Sequence, residues 1–174
     1  MIDEYSSKTT VLAAVKEKDL ALKCTSYKLK DDKEVVLAVV MQDVYGRALY
    51  YASSELKDDK KVFLAAVNQH GEALQFVSRN LRHDKEVVLA AVMEDGYGLQ
   101  HASDEMKDDK EVVLAAVKQN SRLLYYTSNR LLDNKELLLA AVKQDGWALE
   151  KASLNLRHNK EVVLAAVKQT PPIN

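Results

Sequence analysis

The decapeptide KEVVLAAVKQ stands at residues 110–119, returns at 160–169, and recurs as KEVVLAAVME at 85–94. The leucine of this unit falls at Leu12, Leu37, Leu64, Leu89, Leu114, Leu139 and Leu164, in steps of 25, 27, 25, 25, 25 and 25 residues. A two-residue insertion near Val44 and Tyr45 accounts for the step of 27. Self-similarity at a fixed period of this length marks a stacked-repeat architecture, in which each unit covers the apolar face of its neighbour.

Each period predicts two short helices. The first, helix A, has Asp or Asn before its lysine, at Asp32, Asp59, Asp84, Asp109, Asn134 and Asn159, where the side chain can accept from orphan amides. A glutamate follows at Glu34, Glu86, Glu111, Glu136 and Glu161, so Asp31 to Glu34 and Asp108 to Glu111 have capping-box spacing. The run VVLAAV shows no strand-like alternation, and its paired alanines favour helix. Such a helix is expected to be buried almost all round. Helix B follows a turn marked by Gly46, Gly71, Gly96 and Gly146. In ALEKASLNL, residues 148–156, the residues Leu149, Ala152, Ser153 and Leu156 make one apolar stripe. Its serine recurs at Ser26, Ser53, Ser78, Ser103, Ser128 and Ser153, and could bond back to the carbonyl four residues earlier. Helices of about ten residues are unstable alone and need stacking.

The expected fold is all-α: a right-handed α-solenoid of about seven helix-turn-helix units. It forms a single domain over residues 1–174, with units beginning near 9, 32, 59, 84, 109, 134 and 159. The last unit is incomplete, because Pro171 and Pro172 end its A helix.

The period and the run LAAVKQDGWALEKASLNLR, residues 139–157, resemble an uncharacterised tandem-repeat family known only as a domain of unknown function. The resemblance covers residues 11–169. It implies a helical-repeat fold and carries no known chemistry. Members of that family occur in algae, giant viruses and intracellular bacteria, and some look like host-directed effectors. Unit one departs from the pattern: SKTTVLAAVKEKDLALKCTS, residues 7–26, lacks both the DKE cap and the turn glycine.

Composition narrows the function. With 25 basic and 26 acidic residues the chain has a net charge of −1, which argues against a general polyanion binder. Cys24 is the single cysteine, so no intramolecular disulfide forms and a reducing compartment is expected. The start MIDEYSSKTT has no apolar signal core, and no apolar run approaches the roughly 20 residues that span a bilayer. A cytoplasmic location follows, in a host cell if the chain is an effector.

No catalytic constellation emerges. Six serines on six apolar stripes make no active site, since a nucleophile needs a base and an oxyanion hole. His70, His83, His101 and His158 form no HxxxH or HExxH pair, and one cysteine builds no thiolate zinc site. No cofactor or metal is expected. Lys33, Lys60, Lys85, Lys110, Lys135 and Lys160 form one basic column, and Lys30, Lys57, Arg82, Lys107 and Arg157 another. They could follow a phosphate backbone, but flanking acids favour a solvated edge with ion pairs between units.

The informative columns are those that vary. At 100° per residue, two helix B positions four residues apart point outwards. They hold Arg47 and Tyr51, Glu72 and Phe76, Tyr97 and His101, Arg122 and Tyr126, and Trp147 and Lys151, with Leu20 and Cys24 in unit one. Tyr50 and Tyr125 lie on the flank. Either each pair is a local i,i+4 or cation–π contact, or packs on the next unit, or the stack forms a ligand surface. The binding candidates are therefore Arg47, Tyr51, Phe76, Tyr97, His101, Arg122, Tyr126, Trp147 and Lys151. The leading expectation is a non-catalytic scaffold that binds a protein or peptide. The alternatives are a nucleic-acid-binding helical repeat and a structural or oligomerisation module. The last A helix, Val162 to Val167, is as apolar as the interior copies, so this end is expected to be covered, for instance by homo-oligomerisation.

Overall fold

The computed structural model describes residues 3–4, 6–14, 21–43, 47–67 and 71–169. The expected insertion at Val44 and Tyr45, Gly46, Leu20, His70, Pro171 and Pro172 all lie outside the described residues.

Seven A helices appear where the repeat puts them: Lys8–Ala14, Lys33–Val40, Lys60–Val67, Lys85–Glu94, Lys110–Gln119, Lys135–Val142 and Lys160–Val167. Among the described residues no strand is present, and the protein is all-α. Consecutive A helices pack in chain order, and every substantial contact joins elements of one unit or of adjacent units. The units therefore stack in one dimension. Within an A helix the two valines after the acid and the Ala-Val pair that follows are buried, as at Val112, Val113, Ala116 and Val117. The repeat leucine takes the outer side and is half-buried, as at Leu114.

Caps set where each A helix begins. Asp109 accepts from the amides of Glu111 at 2.9 Å and Val112 at 3.1 Å. Asn134 accepts from Leu137 at 3.0 Å. The capping-box expectation needs correction. The N-caps are Asp32 and Asp109 rather than Asp31 and Asp108. Glu34 and Glu111 instead receive the lysine of the preceding unit, because solvated acids beside a helix start can still reach a neighbour's ammonium.

Helix B also differs from expectation. From unit three onwards it is a six-residue 3₁₀ helix, at Gly71–Phe76, Gly96–His101, Ser121–Tyr126 and Gly146–Lys151. The chain then extends and starts a third one-turn helix, such as Asp104–Lys107 or Leu154–Arg157. Each full unit thus holds three short helices rather than a helix pair. The break falls at the step into the serine, after Ala, Thr or Val, because the serine is an N-cap. Ser103 has ψ 162° and accepts from Met106 N at 3.3 Å. The serine hydroxyl does not bond back four residues, since the backbone there is extended. It donates across the junction instead: Ser53 to Asp31 at 2.5 Å, Ser78 to Asp58, Ser128 to Asp108 and Ser153 to Asp133.

A second set of bonds crosses each junction. The amides of Ser53, Ser78, Ser103 and Ser128 donate to the carbonyls of Lys30, Lys57, Arg82 and Lys107 at 2.9–3.1 Å. At Gly71 the next unit comes close, and a Cβ there would lie 2.6 Å from the Ala91 carbonyl.

Candidate functional site

The lysine column is occupied within the fold from Lys8 to Lys135. Lys8 bridges Asp32 and Glu34, Lys60 bridges Asp84 and Glu86, and Lys85 bridges Asp109 and Glu111, at 2.7–3.0 Å. Lys33, Lys110 and Lys135 reach Asp59, Glu136 and Glu161 at 2.5 Å. Each lysine thus ties its unit to the next. Unit one, which seemed to lack its cap signal, supplies Lys8 to the same column. The Asp32 and Asp59 carboxyls are held below the ordinary carboxylate value, first by the hydrogen bonds from Lys8 and Lys33. Burial pushes Asp109 up, but Lys85 and the amides of Val112 and Glu111 outweigh it and the net shift is downward.

The B helices form the variable edge, and their 3₁₀ geometry decides what it shows. Three residues per turn align positions three apart, not four. The first position of each pair is exposed as expected, at Arg47, Glu72, Tyr97, Arg122 and Trp147. In the 3₁₀ helices the residue aligned with it is Gln75, Gln100, Tyr125 or Glu150, and in the one-turn α-helix Ala48–Tyr51 of unit two Tyr50 is exposed; the outermost aromatics include Tyr50, 58% exposed, Tyr125, 73%, and Trp147, 63%. Tyr51, Phe76, His101 and Tyr126, expected to face outwards, are half-buried against the stack; Lys151 is exposed. Tyr126 donates from its hydroxyl to Gln100 of the previous unit at 3.3 Å. Tyr51 and Tyr126 meet the exposed rings edge-on at 5.1 and 5.4 Å, and Tyr50 reaches Phe76 of the next unit at 5.8 Å. These inner rings therefore serve packing, and each supports an outer ring.

Cations flank the outer rings. Lys57 Nζ sits 5.3 Å from the Tyr50 centroid, and burial pushes its ammonium below the ordinary lysine value. Lys151 Nζ sits 5.5 Å from Tyr125. Between units five and six the edge opens into a groove of about 510 Å³. Leu124 and Ala148 contribute apolar lining, and Tyr125, Trp147, Arg122 and Lys151 supply rings and cations. The Trp147 amide donates to Asp145 Oδ1 at 3.0 Å, which fixes the start of its helix.

Two features escaped the sequence reading. Asp95, Asn120 and Asp145 cap the B helices through the amides of Tyr97, Arg122 and Trp147. Gln119 and Gln144 act as staples between units. Gln144 Nε2 donates to the Val117 and Lys118 carbonyls at 2.9 and 2.7 Å, while its Oε1 accepts from Ser121 N at 3.0 Å. The signal was present as a glutamine two residues before Ser121 and Gly146, in QNS and QDG. Among the described residues no group of three or more His, Cys, Asp or Glu could hold a metal ion. No helix among them is long and apolar enough to cross a membrane.

One-dimensional stacking, capped short helices and a variable edge define a tandem helical-repeat protein. The chain belongs to the family described as a domain of unknown function, DUF4116, whose model matches residues 8–45, 43–82, 84–132 and 134–173. The first, third and fourth matches each take in two A helices and the second takes in one, so a family repeat is longer than one structural unit. No curated protein and no solved structure matches the chain.

Proposed function

We propose that the chain is a non-catalytic scaffold that binds a protein or peptide segment along the B-helix edge. One observation carries this reading: Tyr50, Tyr125 and Trp147 stay exposed on one edge, and two of them line a groove that also holds Arg122 and Lys151. Large exposed rings beside cations are the composition of interaction hot spots, and repeat stacks work by presenting variable residues on a constant frame. The binding set is accordingly Arg47, Tyr50, Tyr97, Arg122, Tyr125, Trp147 and Lys151. Nucleic acid is the weaker reading, because the lysine column spends its charge on the acids of the next unit. The single cysteine favours a reducing cytosol as the place of action, a host cytosol if the protein is an effector. The last A helix exposes Leu164 and Val167, and self-association through that end is part of the same reading.

The test is affinity capture from lysate with the wild type and with the triple variant Tyr50→Ala, Tyr125→Ala, Trp147→Ala. Circular dichroism confirms that both are folded. Loss of a captured protein by the variant supports the reading. Retention of every captured protein by the folded variant refutes it.

A further inference from the structure

The junctions between units are closed alike at four places. The serine at the head of the third helix donates to an aspartate that closes the preceding unit: Ser53 to Asp31, Ser78 to Asp58, Ser128 to Asp108 and Ser153 to Asp133. The junction between units three and four breaks this rule. The position equivalent to Asp58 and Asp108 is His83. The backbone rung survives, with Ser103 N donating to the Arg82 carbonyl at 3.0 Å. The Ser103 hydroxyl still accepts from Met106 N, but among the described residues no carboxylate takes its proton. His83 Nδ1 lies 2.8 Å from the Arg79 carbonyl. A carbonyl only accepts, so Nδ1 carries the hydrogen and Nε2, free of that contact, donates only when the ring is charged.

Where the other junctions hold a carboxylate, this one holds an open groove of about 530 Å³ lined by Arg79, Arg82, His83, His101 and Ser103. Arg82 is held in place by the Gln75 and Val77 carbonyls at 2.7 and 3.4 Å, and its Nε is buried with no hydrogen-bond partner among the described residues. Asp104 and Glu105 also line the groove.

We propose that this groove binds a tetrahedral oxyanion of the sulfate or phosphate type, free or carried as a monoester, in place of the missing aspartate. A serine hydroxyl, two guanidinium groups and two imidazoles are a donor set matched to an anion with several acceptor oxygens. Lys107 adds to the local positive field, while Glu72, Asp104 and Glu105 oppose it. Burial, with Arg82 and Lys107 next, pushes His101 below the ordinary histidine value. An anion entering the groove offsets those cations. Occupancy therefore tracks the protonation of His101, and binding tightens as pH falls.

The experiment titrates sulfate into the full chain, following the His83 and His101 ring resonances by NMR. Sulfate keeps both its charges over the range used, so any pH dependence belongs to the protein. A charge-assisted bond is gained as the ring takes its proton, so binding is expected to tighten about tenfold as the pH is lowered. The variant His83→Asp rebuilds the Ser103 rung. It is expected to lose sulfate binding while unfolding at the same temperature as the wild type or higher. O-Phosphoserine, titrated in parallel, separates a site for the free ion from one for a monoester. No saturable shift in the wild type, or equal binding by the folded His83→Asp variant, would overturn the proposal.

Discussion

Replacing Gln144 with alanine isolates the staple that joins units five and six. The side chain makes three hydrogen bonds, two given to the Val117 and Lys118 carbonyls and one taken from Ser121 N. Those carbonyls lie at the end of the Lys110–Gln119 helix, where no further turn supplies donors. A typical bond contributes about 0.5–1.5 kcal/mol net, and water can replace part of each in this exposed residue, so the loss is about 1.5–3 kcal/mol. At roughly 2–4 °C per kcal/mol for a chain of this size, Tm falls by about 3–12 °C. Calorimetry reads the total and amide hydrogen exchange reads the place. Ser121 and the start of the Ser121–Tyr126 helix should lose protection before the distant Val35 and Val36 do. Glutamate at 144, protonated at acid pH, keeps the acceptor and one donor in place of two, so there it should fall between wild type and alanine. A Tm unchanged within error, or a loss of protection spread evenly over all units, refutes the staple and with it the nearest-neighbour picture of stability.

Packing and edge residues should separate cleanly. Leu138→Ala removes a side chain that is 1% exposed and should cost about 2–5 kcal/mol, while Trp147→Ala should stay within about 0.5 kcal/mol in denaturant unfolding. Gly71→Ala drives a Cβ toward the Ala91 carbonyl and should lower the unfolding midpoint, in contrast to the gain expected where glycine is merely unconstrained. Stability should fall on acidification. Carboxyls lowered in the fold, Asp32 and Asp59 by their lysines, stabilise above the unfolded value of about 3.9 and lose that contribution as pH drops through the lower folded value. Burial-lowered His101 adds an earlier loss below about 6.5. Lys8, Lys60 and Lys85, raised first by their bonds to Asp32, Glu86 and Asp109, contribute fully below about 10.4 and lose it as pH rises through the higher folded value. Urea midpoints measured across pH check both limbs, and a midpoint that rises between pH ~6 and ~3 contradicts them.

What could be read in the sequence was set by period. Seven leucines at near-constant spacing locate the A helices, and the Asp or Asn before each lysine gives their starts, because both follow from local chemistry. The B segment was misjudged because its apolar positions suit either helix type. Leu149, Ala152 and Leu156 fit a stripe at 3.6 residues per turn, yet Ser153 caps a new helix and the preceding six residues wind at three per turn. That shift moves Tyr125 to the outside and Tyr126 into the stack, and Tyr50 and Tyr51 of the one-turn α-helix in unit two are placed alike, so the edge was found but its residues were displaced by one. The serine–aspartate rungs and the glutamine staples join residues 20–27 apart, and no local pattern signals which neighbour each will meet. In hindsight the columns themselves were the signal: a polar residue kept at one register in a stack faces its counterpart in the next unit.

Trp147 is the chain's single tryptophan and stands in the groove between units five and six, so its fluorescence reports directly on the binding edge. Titrating the captured partner segment into the full chain, with excitation selective for tryptophan, is the most direct test of that edge. The account predicts a saturable blue shift as the ring leaves water, lost in the Arg122→Ala, Tyr125→Ala variant. Saturable binding that leaves the Trp147 emission where it was would contradict it.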